Sequence, residues 1–265
     1  MRQTTLPLQM LAFVATGCIT FPLMAKLIET NDATTEGMEI IEVTARKSVE
    51  NLQAIPVSAT AINAHRIDEQ NLGDLSQIQQ FSPNTSLQPS TATNSTLSAF
   101  IRGVGQEDQL WGYESGVGIY IDDVYIARPQ GAVFQLLDVE RVEVLRGPQG
   151  TLYGKNTSGG AVKYIPQKLT GDREFSLNAT LGSYQRQDVK MTGQFPIIKD
   201  TLLLGFATAS FQQDGFGQFV SSSLDAQSLE NDNKDLVASR VNLELRPLDE
   251  LSIRLNYDKT KDNSN

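Results

Sequence analysis

Two textures of apolar and polar positions meet near Gly171. Beyond it, apolar and polar residues alternate one for one. Phe175, Leu177, Ala179 and Leu181 interleave with Glu174, Ser176, Asn178 and Thr180, and Val189, Met191, Gly193 and Phe195 with Asp188, Lys190, Thr192 and Gln194. Val237, Ser239, Val241, Leu243 and Leu245 oppose Ala238, Arg240, Asn242, Glu244 and Arg246; Leu251, Ile253, Leu255 and Tyr257 oppose Ser252, Arg254, Asn256 and Asp258. A period of two places successive side chains on opposite faces of a strand. With the less regular stretch Thr201 to Phe211, this predicts five long amphipathic strands. A soluble sandwich alternates in the same way, so the connections decide. Pro196 to Asp200 and Pro247 to Glu250 are short, whereas Gln212 to Lys234 is a long polar loop. Short turns on one side and long loops on the other are the habit of membrane barrels, and only Ser183 to Arg186 is short for an outer loop.

Before Gly171 the elements are shorter and mixed. Ile55 to Ile62 reads as a strand, Ala64 to Gln70 and Leu75 to Phe81 as short helices, and Ser82-Pro83-Asn84 as a break. Phe100 to Gly105 and Val117 to Ile121 alternate like strands around glycine, and Asp122-Asp123 followed by Val124-Tyr125-Ile126 predicts a tight hairpin. Aspartate tolerates the backbone angles of such turns, which explains the pair more simply than metal binding does. In Val139 to Val162, Val139, Val142, Val144 and Leu145 interleave with Glu140, Arg141, Glu143 and Arg146. That pattern predicts a strand with one wet and one packed face. It stops at Gly147-Pro148, because proline has no N–H for a ladder. Gly150, Gly154, Gly159 and Gly160 then space out Tyr153, Lys155 and Asn156 in a compact loop, and Ala161 to Ile165 resumes as a strand.

Gly154-Lys155 with Thr157 nearby resembles a phosphate-binding loop, but the spacing fails. That motif requires glycine where Gln149 stands and Ser or Thr where Asn156 stands. The net charge of -9 argues against nucleic acid as a partner. One Cys and one His cannot build a metal cluster or an intrachain disulfide. His65, in AINAHRIDEQN, reads as a solvated residue on an exposed helical turn. No enzyme and no cofactor is expected.

The N-terminus reads as an export signal over 1–25: Arg2, a largely apolar Leu6 to Met24, and the small Ala25. A transmembrane anchor is disfavoured by Pro7, Gln9 and Pro22; Ala15 to Cys18 matches a lipoprotein site poorly. A polar tether over 26–54 contains Glu39, Ile40, Ile41, Glu42, Val43, Thr44 and Ala45. Its β-branched run between charges favours an isolated extended segment, whose free N–H and C=O groups suit another protein's sheet edge.

The string from Val139 to Gly160 resembles the plug signature of TonB-dependent outer-membrane receptors, and Glu39 to Ala45 resembles their TonB box. Arg102-Gly103 and the Tyr-Ile-Asp-Asp-Val segment near Ile121 also look like plug strands. The resemblance implies an α+β plug domain over 55–171, followed over 172–265 by the start of an antiparallel transmembrane β-barrel. It implies TonB-energised import of a scarce nutrient such as an iron-siderophore complex. The partners would be the periplasmic domain of TonB, outer-membrane lipid and a small-molecule ligand such as a metal chelate. Arg102, Glu140, Arg141, Glu143 and Arg146 would either be buried in a barrel lumen, pairing with wall charges such as Glu174 or Arg240, or form a solvated face. A non-transporting outer-membrane binding or signalling protein with the same plug is the alternative.

Large plugged barrels have about 22 strands, and each spanning strand takes about 9–11 residues. Five strands fall below the lower limit of about eight for a closed membrane barrel. The expectation is therefore an N-terminal fragment that does not transport alone.

Overall fold

A computed structural model describes residues 41–90, 93–106, 114–127, 136–218, 230–231, 233–248 and 250–264. The expected export signal, Glu39 and Ile40 lie outside the described residues. Ile40–Asn265 is one compact unit.

The described residues open with a small antiparallel pair, β1 (Glu42–Val43) and β2 (Glu50–Asn51). β3 (Ser58–Asn63) runs into α1 (Ala64–Glu69), where the Asn63 side chain accepts from the Arg66 N–H and caps the helix. A 3-10 helix over Leu75–Phe81 follows, capped by Asp74. Next come an antiparallel trio, β4 (Thr85–Ser90), β5 (Thr93–Ile101) and β6 (Val104–Gly105), and a hairpin, β7 (Val117–Ile121) and β8 (Val124–Tyr125). β9 (Val139–Arg146), α2 (Gly150–Tyr153) and β10 (Gly160–Pro166) complete this part. The central sheet has the order β3-β9-β10-β7-β8, parallel only between β10 and β7.

β9 is an inner strand of that sheet, so the expected wet face does not exist. Val142 and Val144 point into a core with Ile62, Ile78, Ile119, Val162 and Tyr164, beneath the helical turns and β4–β5. Leu145 lies in a second core on the opposite face, with Tyr120, Tyr153 and Ala161. Arg141 and Glu143 share that second face by the period of two, and both are buried. The strand expected from Ile55 begins at Ser58, and a one-turn helix stands where a loop was expected after Gly150.

The second sheet has the order β11-β12-β13-β16-β17 and is antiparallel throughout. Its strands are β11 (Glu174–Gly182), β12 (Arg186–Ile198), β13 (Leu202–Gln213), β16 (Lys234–Leu248) and β17 (Leu251–Asp262), with a small pair, β14 (Gly217–Gln218) and β15 (Glu230–Asn231), between β13 and β16. β12 continues past Pro196 through a register shift, so its turn is shorter than expected. Among the described residues β11 and β17 do not pair with each other, and the wall is an open arc.

Registers align one apolar face across the arc. Phe195, Leu204, Leu243 and Leu255 form one row; Phe206, Val241 and Tyr257 form another. Leu177 is 62% exposed and Leu255 64%, so among the described residues this apolar face is left uncovered, as a strand face suited to an apolar medium would be. The opposite face wraps the first body. There Gly205, Ala207 and Ala209 let the wall approach closely, with Ala207 and Ala209 clustering with Leu137. Arg240 donates to the Tyr164 hydroxyl at 3.3 Å, Tyr164 donates to the Leu137 carbonyl, and Arg246 donates to the Leu169 carbonyl at 2.9 Å.

Candidate functional site

The second face of the central sheet carries a buried polar cluster, and the N-terminal segment covers it. Glu143 on β9 and Lys163 on β10 are register partners, so adjacent strands bring the two charges together. Arg141, two residues before Glu143, donates to it at 2.8 Å and also pairs with Glu140. Glu143 and Lys163 are both essentially inaccessible to solvent. Charges this deep are tolerated only when paired and hydrogen bonded.

Much of that satisfaction comes from Thr44. Its backbone N–H donates to Glu143 Oε1 at 2.7 Å, and its hydroxyl lies 3.2 Å from the same oxygen. Lys163 returns two bonds, to the Thr44 carbonyl at 2.9 Å and to its hydroxyl at 2.8 Å. Asp123 gives Lys163 a third partner at 3.2 Å. On either side of Thr44, Val43 and Ala45 are buried in the core with Tyr120, Leu145, Tyr153 and Ala161. The expected free extended segment is instead docked: two small apolar side chains fill the core and the intervening peptide bridges the charges.

The glycine-rich loop positions Tyr153 for this contact. Gly147 (φ 98°) turns the chain out of β9, and Gly154 (φ 81°) ends α2, both in the region open to glycine. Tyr153 then donates its hydroxyl proton to the Ala45 carbonyl at 2.8 Å, while its own carbonyl accepts from Tyr120 at 2.8 Å. Burial, then the charges of Glu143 and Asp123, raise the Tyr153 hydroxyl pKa, so it remains a donor.

Residues 51–161 match the family model described as TonB-dependent Receptor Plug Domain. Over those residues the chain is similar to the plug of TonB-dependent receptors. The pesticin receptor of Yersinia enterocolitica is 29% identical over 215 residues, covering 79% of this chain and 30% of that protein. The vitamin B12 transporter BtuB of Vibrio vulnificus is 29% identical over 54% of this chain and 22% of its own length. The ferric yersiniabactin uptake receptor FyuA of Yersinia pestis superposes with a TM-score of 0.69 at 22% identity, over 78% of this chain and 32% of its own. The chain thus spans less than a third of the length of these relatives, which are receptors and transporters rather than enzymes. The plug and the antiparallel arc that follows it resemble the start of such a receptor.

The other signature charges of the plug are placed differently from expectation. None pairs with Glu174, which accepts from Gln194, or with Arg240, which pairs with Asp258 and touches Tyr164. Glu140 lies between Arg141 and Lys168. Arg146 donates to Ser58 and Thr60 at 3.0 Å each. It lines a cavity with Arg102, Pro56, Pro148 and Leu152, and burial followed by the Arg102 charge lowers its pKa. Gly103 (φ 78°) follows Arg102 in the turn between β5 and β6. Gly159 and Gly160 sit where a side chain would strike Val104 and Leu145, so this stretch packs backbone on backbone.

The sequence reading missed Lys163. A single lysine inside the apolar run GAVKYIP was the available signal, since an isolated charge in a buried strand implies a buried partner. Asp122 and Asp123 take φ values of 46° and 65°, as the expected hairpin turn requires. His65 is exposed on α1, as expected.

Proposed function

We propose that this chain forms the plug and the first wall strands of an outer-membrane receptor that imports a scarce nutrient, such as an iron-siderophore complex, with energy delivered by TonB. On this reading, 1–25 is the export signal, 26–54 a tether, 55–171 the plug and 172–265 barrel wall. Glu39 to Ala45 is the segment that TonB takes. The observation that supports it is the docking of Ile41–Ala45. Val43 and Ala45 are buried and Thr44 bridges Glu143 and Lys163, so the segment is stored on the plug and, once drawn out, offers its backbone to a partner strand. A conducting wall must close, and the described arc has two unpaired edges; import therefore calls for further wall strands.

The experiment is energised uptake of labelled ferric siderophore by cells carrying the full-length protein, alongside capture of that protein by the immobilised periplasmic domain of TonB. Val43→Pro removes a donor from the segment, and the expected result is loss of capture and uptake with surface ligand binding retained. Unchanged uptake overturns the coupling role.

A further inference from the structure

On its outward face the wall carries almost no charge. Lys190, Arg240, Glu244 and Asp258 lie on the inward face, as the period of two and the strand registers require. Among the strand residues of β11, β12, β13, β16 and β17, only Asp235, Lys259 and Lys261 carry charge outward, all at the loop end of β16 and β17. Their direction is fixed by neighbours that face the other way: Asp258 pairs with Arg240, Asn256 donates to Asp122, and Leu236 packs with Leu137.

Lys259 and Lys261 are exposed, and same-face neighbours on a strand stand about 7 Å apart. Neither has an ion pair or hydrogen bond among the described residues. Asp235 accepts instead from Asn263, at 3.4 Å. Ser239 is the register partner of Lys259, and its hydroxyl lies 3.2 Å from the hydroxyl of Thr208. The pair of hydroxyls has two protons. One lies between them, and the other reaches the Ala238 carbonyl at 3.3 Å, a long bond that a charged acceptor can displace. On the short-turn side of these four residues the apolar row of Tyr257, Val241 and Phe206 begins.

A charge on a lipid-facing strand is costly at mid-membrane and tolerated at the headgroup level, so two unpaired lysines at the end of an apolar band mark that level. Two ammoniums and a hydroxyl suit the three terminal oxygens of a phosphate monoester, and a lipid carrying one lays its acyl chains along the apolar rows beside it. We propose that Lys259, Lys261, Ser239 and Thr208 form a site for the phosphorylated headgroup of an outer-leaflet lipid. The site rests on the reading of this face as lipid-facing and of the loop end as external.

The experiment measures binding of fluorescent diphosphoryl lipid A to the full-length protein in neutral detergent. Lys259→Gln/Lys261→Gln is expected to weaken binding roughly thirtyfold, from the usual worth of a lysine beside an anionic headgroup taken twice. Lys199→Gln, in the turn at the other end of the wall, should bind as wild type does. Lipid A stripped of its phosphates should bind no better to wild type than to the double variant. An undiminished double variant overturns the site, as does an equal loss in Lys199→Gln. Competition by inorganic phosphate at the lipid's own concentration means that any phosphate suffices, and overturns the lipid as occupant. Wild type that folds into phosphatidylcholine vesicles without preferring phosphorylated lipid overturns this site alone; wild type that does not fold there overturns the membrane reading and the site with it.

Discussion

Glu143 and Lys163 face each other across adjacent strands with their charged atoms 3.8 Å apart, and Thr44 binds both. Neither charge depends on the other alone; the N-terminal segment completes the pair. Removing one partner should therefore harm more than removing both. Lys163→Met leaves a buried carboxylate with reduced compensation, a change that typically costs about 3–5 kcal/mol. The Lys163→Met/Glu143→Gln double variant should recover much of that loss. Guanidinium unfolding of the three proteins, followed by tryptophan and tyrosine emission, checks the order; a double variant less stable than Lys163→Met contradicts it.

Tyr153→Phe deletes one hydroxyl and keeps the ring against Tyr120. It removes the bond to the Ala45 carbonyl, a loss of about 1 kcal/mol by the usual worth of such a bond. Hydrogen exchange over the docked segment should accelerate roughly fivefold, the same energy expressed as a rate ratio, while exchange in β9 and β10 stays unchanged. Equal acceleration in all three places would mean that the hydroxyl supports the whole plug rather than the docked segment.

Much of this arrangement was legible from one residue pattern. Period-two alternation gave the wall strands and their outward face, and the glycine and aspartate positions gave the turns. β13 looked irregular because Leu203, Ala207, Ala209 and Phe211 are buried on its inward face, so both faces are apolar. β4 and β5 as far as Ala99 are hidden in the sequence because their Ser, Thr, Asn and Gln content and Pro89 resemble a loop; the pairing of the two strands decides their state. The docked segment was misread for a related reason. Alternation along β9 shows that two faces differ, but only the tertiary fold reveals that the charged face is covered by Thr44 instead of water.

Gly154 and Gly159 separate two causes of glycine dependence. A Cβ at Gly154 meets nothing within 4 Å, so Gly154→Ala carries only the backbone strain of φ 81° and ψ −156°, about 1–3 kcal/mol. A Cβ at Gly159 would lie 2.7 Å from the Val104 carbonyl oxygen and 3.0 Å from the Val104 Cβ. Gly159→Ala must move β6 and should be the more destabilising of the two. Thermal unfolding of both variants checks the order.

Asp138 makes the plug–wall seam sensitive to pH. Burial raises its carboxyl above the ordinary 3.8, against the opposing pull of Arg240 and the bond from Asn242. An acid whose folded pKa is raised binds its proton more tightly in the folded state. Its contribution is therefore fully favourable below 3.8 and is lost as pH rises through the folded value. Asp138→Asn should flatten that part of the stability profile and raise stability at pH 7, with the left-handed backbone angle of 55° still accommodated. A profile unchanged between pH 4 and pH 7 would assign the slope to other carboxylates.

The two faces of the wall should respond oppositely to charge. Val241 lies on the outward apolar face, in register with Phe206 and Tyr257, whereas Thr192 lies on the inward face and lines the polar gap beside Gln194 and Lys190. An arginine at the middle of a lipid-facing strand costs about 2–4 kcal/mol, while lumen positions escape that penalty. Val241→Arg should therefore reduce folding of the full-length protein into phosphatidylcholine vesicles by roughly thirtyfold or more in the folded-to-unfolded ratio. Thr192→Arg should fold close to wild type, since the gap gives its side chain room and carboxylate neighbours at Asp68 and Glu174. Equal losses at both positions would mean that the face carrying Val241 does not meet lipid, and the membrane orientation of the arc would be wrong.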